Sequence, residues 1–301
     1  MSDPVPPPSP RPPQPWSAER VVERAQAEAI ARRFVPAATL ERIGAGWDNT
    51  AWLVDGAYVF RFPRRRIAVP LLEHEVAYLG PLAARLPLPV TAPVFHGRDD
   101  DGWPFAAYPF IPGHVLALDE RAPSPEAAAT LGAFVRALHE SPAPAGLGGD
   151  TLGKVDVVRR LDITRALGAR YGVEVPEDIV DLALSVPHLG RPQVVVHGDL
   201  DARHVLVDDA GNPTGVIDWG DLHRGDPATD LALCFSALDG MARDAFLEAY
   251  GLVWDGLPTL ALARFRAIHV ALAVLDWATD LGDDKMASAA RAALGRSVKY
   301  A

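Results

Sequence analysis

The residues best placed to do chemistry lie in one stretch, HGDLDARHVLVDDAGNPTGVIDW, His197 to Trp219. Asp199 follows the apolar run Val194-Val195-Val196, Asp218 follows Gly215-Val216-Ile217, and His204 comes five residues after Asp199. Phosphoryl transfer asks little of a protein: a carboxylate to orient and deprotonate a hydroxyl, and ligands that hold metal on the nucleotide phosphates. Two carboxylates nineteen positions apart, each at the end of a β-like stretch, supply both if one strand–turn–strand unit brings them together.

The surrounding chain indicates what positions them. Residues 1–16 hold eight prolines and no apolar signal core, so they read as a disordered or polyproline tail. Residues 17–34 read as an amphipathic helix that Ser17 could cap, with Val21, Val22, Ala25, Ala29 and Phe34 as its stripe. From 40 to 62, alternation broken by Gly44, Gly46 and the Asp55-Gly56 pair predicts strand, glycine turn, strand, hairpin turn, strand. Residues 71–86 return to helical spacing around Pro81. Beyond Pro112-Gly113 helices dominate, at 125–140, 227–238, 242–250, 259–280 and 285–297, interrupted by the strand–turn–strand unit. The expected architecture is α+β: a tail (1–16), a small β-rich N-terminal lobe with a leading helix (17–111), and a larger helical C-terminal lobe (112–301) carrying the catalytic loop and acceptor site. A cleft between two such lobes would suit a nucleotide.

Composition narrows the class. The chain has 301 residues, 49% hydrophobic, enough for a substantial core, and a formal charge of −10 that argues against nucleic acid as a main partner. An acidic surface fits solubility or a cationic substrate. The single cysteine, Cys234, excludes an intrachain disulfide and a cysteine metal cluster, and its apolar setting marks a buried thiol. No stretch reads as the roughly 20 apolar residues of a membrane span. A cytoplasmic enzyme without membrane contact is the expectation.

The His197–Trp219 stretch, with DLHRGDPATDLA after it and FRFPRR, Glu75 and FIPG before it, resembles the aminoglycoside and macrolide phosphotransferases of the protein-kinase-like superfamily. That resemblance implies a bilobal protein-kinase-like fold and transfer of a phosphoryl group from ATP or GTP to a small-molecule hydroxyl. It makes Asp199 the catalytic base or orienting carboxylate, with His197 anchoring the loop. Asp218, in an Asp-Trp-Gly segment, becomes the Mg2+ ligand. His204 stands where most of the superfamily has asparagine, and the macrolide enzymes resemble this chain in having histidine there. Direct ligation, ligation through water, and orientation of Asp199 are its three possible roles. Gly44 and Gly46 fall in the phosphate-covering turn. Arg61 takes the place of the usual strand lysine, with Glu75 as its helix partner. Backbone near Ala107 to Phe110 would read the base. Asp226 and Asp230 match a segment that buttresses the catalytic loop.

Asp201 and Arg203, like Arg64, Arg65 and Arg66, read as solvated surface, with Arg203 the better candidate for phosphate contact. Asp276, Asp280, Asp283 and Asp284 could receive an amine of a cationic acceptor or simply solubilise a helix end. Trp277 and Phe235 could line a pocket, although core is commoner for such residues. Two rival functions remain open: a kinase of an amino alcohol, sugar or fructosamine-type metabolite, and a nucleotide-binding pseudoenzyme acting as an interaction module. The short gap between Asp218 and Asp226 leaves no room for an ordinary protein-kinase activation loop.

Overall fold

The computed structural model describes residues 17–36, 39–45, 48–187, 190–251 and 253–299. The proline-rich tail, Gly46 and Trp47 therefore lie outside the described residues. The chain divides into two compact units, one ending at Glu73 and resuming over Val94–Phe110, the other made of His74–Pro93 and the residues from Ile111 onward.

The first unit is an antiparallel sheet of five strands: β1 (Leu40–Ala45), β2 (Asn49–Val54), β3 (Tyr58–Pro63), β4 (Phe95–Arg98) and β5 (Pro104–Pro109), in the order β1-β2-β3-β5-β4. Asp55 and Gly56 both take positive φ, 52° and 64°, the backbone that a tight hairpin between right-twisted strands demands. Alternation sends Phe60 and Phe62 of β3 to one face, against Trp52, Val54 and Phe105, and Arg61 to the other. Helix α1 (Arg24–Ala31) covers the aromatic face with Ala27, Ile30 and Ala31.

This helix is shorter than the 17–34 expectation, and Ser17 does not cap it. The backbone N–H groups of Glu19 and Arg20 donate to the Arg64 carbonyl, and Arg20 pairs with Asp99, which commits the leading segment to an extended path. Ala25 and Ala29 are exposed as a result.

Helix α2 (Ala68–Ala83) starts in the first unit and continues into the second. One boundary between the units falls between Phe110 and Ile111, and the second unit also takes in His74–Pro93: Val90 bridges Val216, and the Val216 N–H donates to the Pro89 carbonyl.

The second unit contains α3 (Pro125–Glu140), α4 (Val157–Tyr171), α5 (Glu177–Leu184), α6 (Ala228–Ser236), α7 (Gly240–Tyr250), α8 (Leu257–Leu281) and α9 (Asp284–Val298). Ser124 caps α3 through the Ala127 N–H, with Pro125 at the first turn. Helices α4 and α5 are absent from the sequence expectation. Along α4 only Val157, Thr164 and Gly168 are buried, too faint a stripe to show a period. Helix α8 corrects another expectation: with a mean hydropathy of 1.4 over its best window it is long and apolar enough to cross a membrane by length and composition. Here it is the central core helix, with Leu262, Phe265, Ile268, Leu272 and Leu275 buried against α6 and α9.

The strand–turn–strand unit also differs from expectation. Strand β7 (Val194–Val196) pairs with β10 (His223–Gly225), whereas β9 (Pro213–Val216) pairs with β8 (Val205–Val207), which in turn pairs with β6 (His114–Val115). The strands that precede Asp199 and Asp218 thus belong to two small sheets, and side chains rather than a shared ladder must join them.

Candidate active site

Asp199 sits on the turn that leaves β7. Asp230, fully buried on α6, holds that turn by accepting the backbone N–H groups of His197 (2.7 Å) and Gly198 (3.0 Å). Burial alone would raise the Asp230 pKa, but the hydrogen bond from His139 and the neighbouring imidazole and backbone groups hold it below the usual carboxylate value. Gly198 has φ +88°, and a Cβ there would stand 2.1 Å from the Asp221 carbonyl oxygen, so only glycine lets the two loops touch.

His197 joins them. Its Nδ1 accepts the Asp199 N–H (3.2 Å), and its Nε2–H donates to the Ile217 carbonyl (3.0 Å), one residue before Asp218. Burial pushes its pKa down, which suits a neutral ring that accepts on one side and donates on the other. The anchoring role expected of His197 is thus a physical strut between the two carboxylate-bearing loops.

His204 lies between the carboxylates. Its Nδ1 donates to the Asp199 backbone carbonyl at 2.7 Å and lies 3.9 Å from Asp199 Oδ2, while Nε2 lies 3.7 Å from Asp218 Oδ2. With the proton on Nδ1, the Nε2 lone pair points toward Asp218. Asp218 has φ +65°, a left-handed conformation that aspartate tolerates better than most residues. Trp219, fully buried behind it, donates its backbone N–H toward Glu75 Oε1 at 3.4 Å.

Among the described residues, no group of three or more His, Cys, Asp or Glu side chains is arranged to hold a metal ion. A pair completed by substrate oxygens and water fits magnesium, which is commonly bound by one or two carboxylates plus phosphates. The imidazole nitrogen is the softer member of this pair.

Cationic side chains gather around the Asp199 carboxylate. Arg266 of α8 approaches Oδ1 at 3.5 Å, and Arg203 approaches Oδ2 at 3.6 Å. Burial would raise the Asp199 pKa, but the charges of Lys154, Arg203 and Arg266 outweigh it and hold the carboxyl well below the usual range. Arg266 also donates to the carbonyls of Gly198 (2.7 Å), Lys154 (3.1 Å) and Thr229 (3.1 Å). Lys154 reaches Asp221 with Nζ at 3.2 Å from Oδ1. Arg266 and Lys154 escape sequence reading: one lies within an apolar helix and the other in the loop GGDTLGKVD, with no motif around either.

Other expectations need correction. Arg203 and Asp201 are not solvated: they chelate each other at 2.5–3.1 Å and are mostly buried. Asp230 is the buttress of the catalytic loop, whereas Asp226 accepts from Arg191 and from the Ala228 N–H at the start of α6. Arg65 pairs with Asp48, part-buried, while Arg66 stays exposed. Asp276 is occupied by Tyr171 (2.8 Å) and Arg170 (2.6 Å), Asp283 caps α9, and Asp280 is exposed, so these acids do not form one receptor for amines. Phe235 belongs to the core, the commoner place for such a residue, and Cys234 is buried as its apolar setting predicts, which pushes its thiol up to about 12.

Of the nucleotide-side candidates in the first unit, Gly44 falls in β1 beside a register shift, and Arg61 lies in β3 with its guanidinium 5.7 Å from the Tyr108 ring centre. Ala107 is inside β5, its carbonyl accepting from Val94, and the Phe110 N–H donates to Ala57. Those two groups are committed within the sheet. Glu75 belongs to the second unit and is 1% exposed, not a solvated helix face.

A cavity of about 530 Å³ opens beside the loop that follows Asp199. Asp201, Ala202 and Arg203 form one wall, and the 3₁₀ turn Leu116–Leu118, α8 and α9 form the others.

A β-rich N-terminal unit, a helical C-terminal unit and a paired-loop carboxylate site together define a protein-kinase-like small-molecule phosphotransferase fold. The model of the phosphotransferase enzyme family (APH) matches residues 39–265, and the chain belongs to that family. The structure of an APH(2") aminoglycoside phosphotransferase with GDP and kanamycin superposes with a TM-score of 0.68 at 22% identity, covering 91% of this chain and 98% of that one. Macrolide 2'-phosphotransferase MphH from Brachybacterium faecium gives 0.58 at 26% identity, covering 90% and 97%. Among curated proteins, the uncharacterized protein YcbJ of Bacillus subtilis (strain 168) is 26% identical over 226 residues, 65% of this chain and 70% of that protein.

Proposed function

We propose that this protein transfers the γ-phosphate of ATP or GTP to a hydroxyl of a small molecule, an antibiotic of the aminoglycoside or macrolide type, in the cytoplasm where those nucleotides are available. The observation that carries this reading is the convergence of Asp199 and Asp218 on the His204 ring, both within 4 Å of it. The GDP and kanamycin bound by one structural relative and the name of the macrolide relative support donor and acceptor classes.

In the reaction, the acceptor oxygen bonds to the γ-phosphorus, the bond to the nucleoside diphosphate breaks, and the hydroxyl proton passes to Asp199. A carboxylate held so far below its usual pKa is a weak base. It orients the hydroxyl and accepts the proton late, once the oxygen has become acidic by bonding to phosphorus. Asp218 and His204 would hold Mg2+, which when bound neutralises charge on the phosphates. Arg203 and Arg266 keep the Asp199 carboxylate fixed and ionised.

Asp199→Ala should lower kcat by about a hundredfold or more while nucleotide affinity stays within about threefold. Transfer of radiolabelled phosphate to a panel of antibiotics and metabolites, with nucleotide binding followed by calorimetry, measures both. Normal turnover in the variant would remove Asp199 from this role. Phosphorylation of amino alcohols or sugars with no antibiotic turned over would replace the acceptor. Nucleotide binding without any turnover would favour an interaction module.

A further inference from the structure

We infer that Arg203 is a catalytic residue of the transfer itself, its guanidinium donating to an equatorial oxygen of the phosphoryl group as that group passes to the acceptor. This deepens the phosphotransfer reading and rests on it. While the acceptor oxygen bonds to the γ-phosphorus, the bond to the nucleoside diphosphate breaks and the hydroxyl proton passes to Asp199, charge spreads over the equatorial phosphoryl oxygens. Arg203 gives up no proton and takes none; it answers that charge.

An anionic phosphoryl group brought up to the ionised Asp199 is repelled unless a cation stands beside both. The charges of Lys154, Arg203 and Arg266 act on Asp199. Two of these side chains are committed elsewhere. Arg266, only 4% exposed, gives Nε, Nη1 and Nη2 to the carbonyls of Thr229, Lys154 and Gly198. Lys154 is tied to Asp221. Arg203 is 20% exposed and lines the cavity beside the loop that follows Asp199. Burial opposes its charge, yet Asp201, Asp199 and Asp218 together raise its pKa, so it stands in the field of both site carboxylates.

Its donors are set for the task. Asp201 accepts from Nε at 2.9 and 3.1 Å and from Nη2 at 2.5 Å, a chelate that fixes the guanidinium plane by one edge. Nη2 also lies 3.6 Å from Asp199 Oδ2. Nη1 makes no hydrogen bond among the described residues, which leaves its two N–H groups for a ligand. Asp201 tempers the net charge, but it also removes the rotamer freedom that a loose arginine would lose on meeting the phosphoryl group. Asp201 is thus a positioning residue for Arg203.

Nucleoside diphosphate with Mg2+ and aluminium fluoride, a mimic of the phosphoryl group in flight, tests this without an acceptor. By calorimetry, Arg203→Met should weaken the fluoride complex by about a hundredfold while the diphosphate alone binds within about threefold of wild type. Arg203→Lys, which keeps the charge and loses the fork, should weaken it by about tenfold. With an acceptor from the panel, kcat of Arg203→Met should fall by about a hundredfold at a nucleotide KM within about threefold, and ethylguanidinium should restore part of the kcat of Arg203→Ala. A residue that merely held Asp199 in place would leave the acceptor-free fluoride complex untouched. Thermal unfolding midpoints establish that the variants fold. Either the fluoride affinity or the kcat of folded Arg203→Met within about threefold of wild type would overturn the assignment. Wild type that neither forms the fluoride complex nor transfers phosphate to any acceptor would sink the phosphotransfer reading, whereas wild type that does both, matched by Arg203→Met, would sink only the role of Arg203.

Discussion

At Lys154, position matters more than motif. Its Nζ is bound to Asp221, whose backbone carbonyl packs against Gly198, the residue before Asp199. Asp150 fixes the lysine's own backbone by accepting the N–H groups of Leu152 (2.8 Å), Gly153 (2.9 Å) and Lys154 (2.6 Å). In the proposed reaction, a cation held this way would set the field in which negative charge moves between hydroxyl, phosphoryl group and Asp199. Lys154→Met should lower kcat by about tenfold to a hundredfold and leave the nucleotide KM within about threefold, and Lys154→Arg should recover part of the loss. Steady-state kinetics with varied nucleotide separates this from misfolding, which would reduce the active fraction and would not be rescued by arginine. An unchanged kcat in Lys154→Met would leave the lysine a structural anchor only.

At the scale of elements, the same logic of close approach governs α3 and α7. A Cβ at Gly132 on α3 would lie 2.2 Å from the Phe246 carbonyl oxygen, and that backbone atom cannot swing aside. Gly132→Ala should therefore destabilise by about 1–3 kcal/mol, despite alanine's better helix propensity, as measured by urea unfolding. Equal or greater stability would mean that the helices separate freely.

Such contacts mark the limit of what the chain's letters convey. The hairpin at Asp55-Gly56 and the helix at 125–140 are local, and each is legible because its cause lies within a few residues. The carboxylates Asp199 and Asp218 were legible through their resemblance to a family. Their joining was not: β7 and β9 sit in different sheets, and the connection runs through the His197 ring and Asp230. Nor was the occupation of Asp276 by Tyr171 and Arg170, which lie more than a hundred positions away. Long-range partners decide whether an acidic cluster is a receptor or merely structure, and spacing carries no record of them.

At the scale of the whole molecule, buried guanidinium groups knit the helical unit together by donating to backbone carbonyls that helices and loops leave open. Arg243 serves Cys234 and Leu238, Arg264 serves Ser297 and Val298, and Arg296 serves Ser236. Arg160 serves Leu152 and Gly153, and Arg266 serves three further carbonyls. An acidic protein thus places several guanidinium groups inside its helical unit. His269 on α8 lies beside two of them. Arg160 donates to its Nε2 at 3.1 Å, its Nδ1–H donates to Thr164 at 2.8 Å, and Arg266 lies close by on the same helix. Burial first, then the charges of Arg160 and Arg266, bring its pKa down to about 4 from 6.5.

A histidine whose folded pKa lies below its unfolded value contributes stability that is full above the unfolded pKa and is lost as pH falls toward the folded one. The window therefore runs from 6.5 down to about 4, and the loss amounts to about 3 kcal/mol, an order-of-magnitude figure. His197, also depressed by burial, adds to it with the same sign. Urea midpoints should fall between about pH 7 and about pH 5, and His269→Asn, less stable at neutral pH, should show a flatter profile over that interval. A variant whose midpoint tracks the wild type at every pH would show that burial and the neighbouring guanidinium groups do not hold His269 neutral.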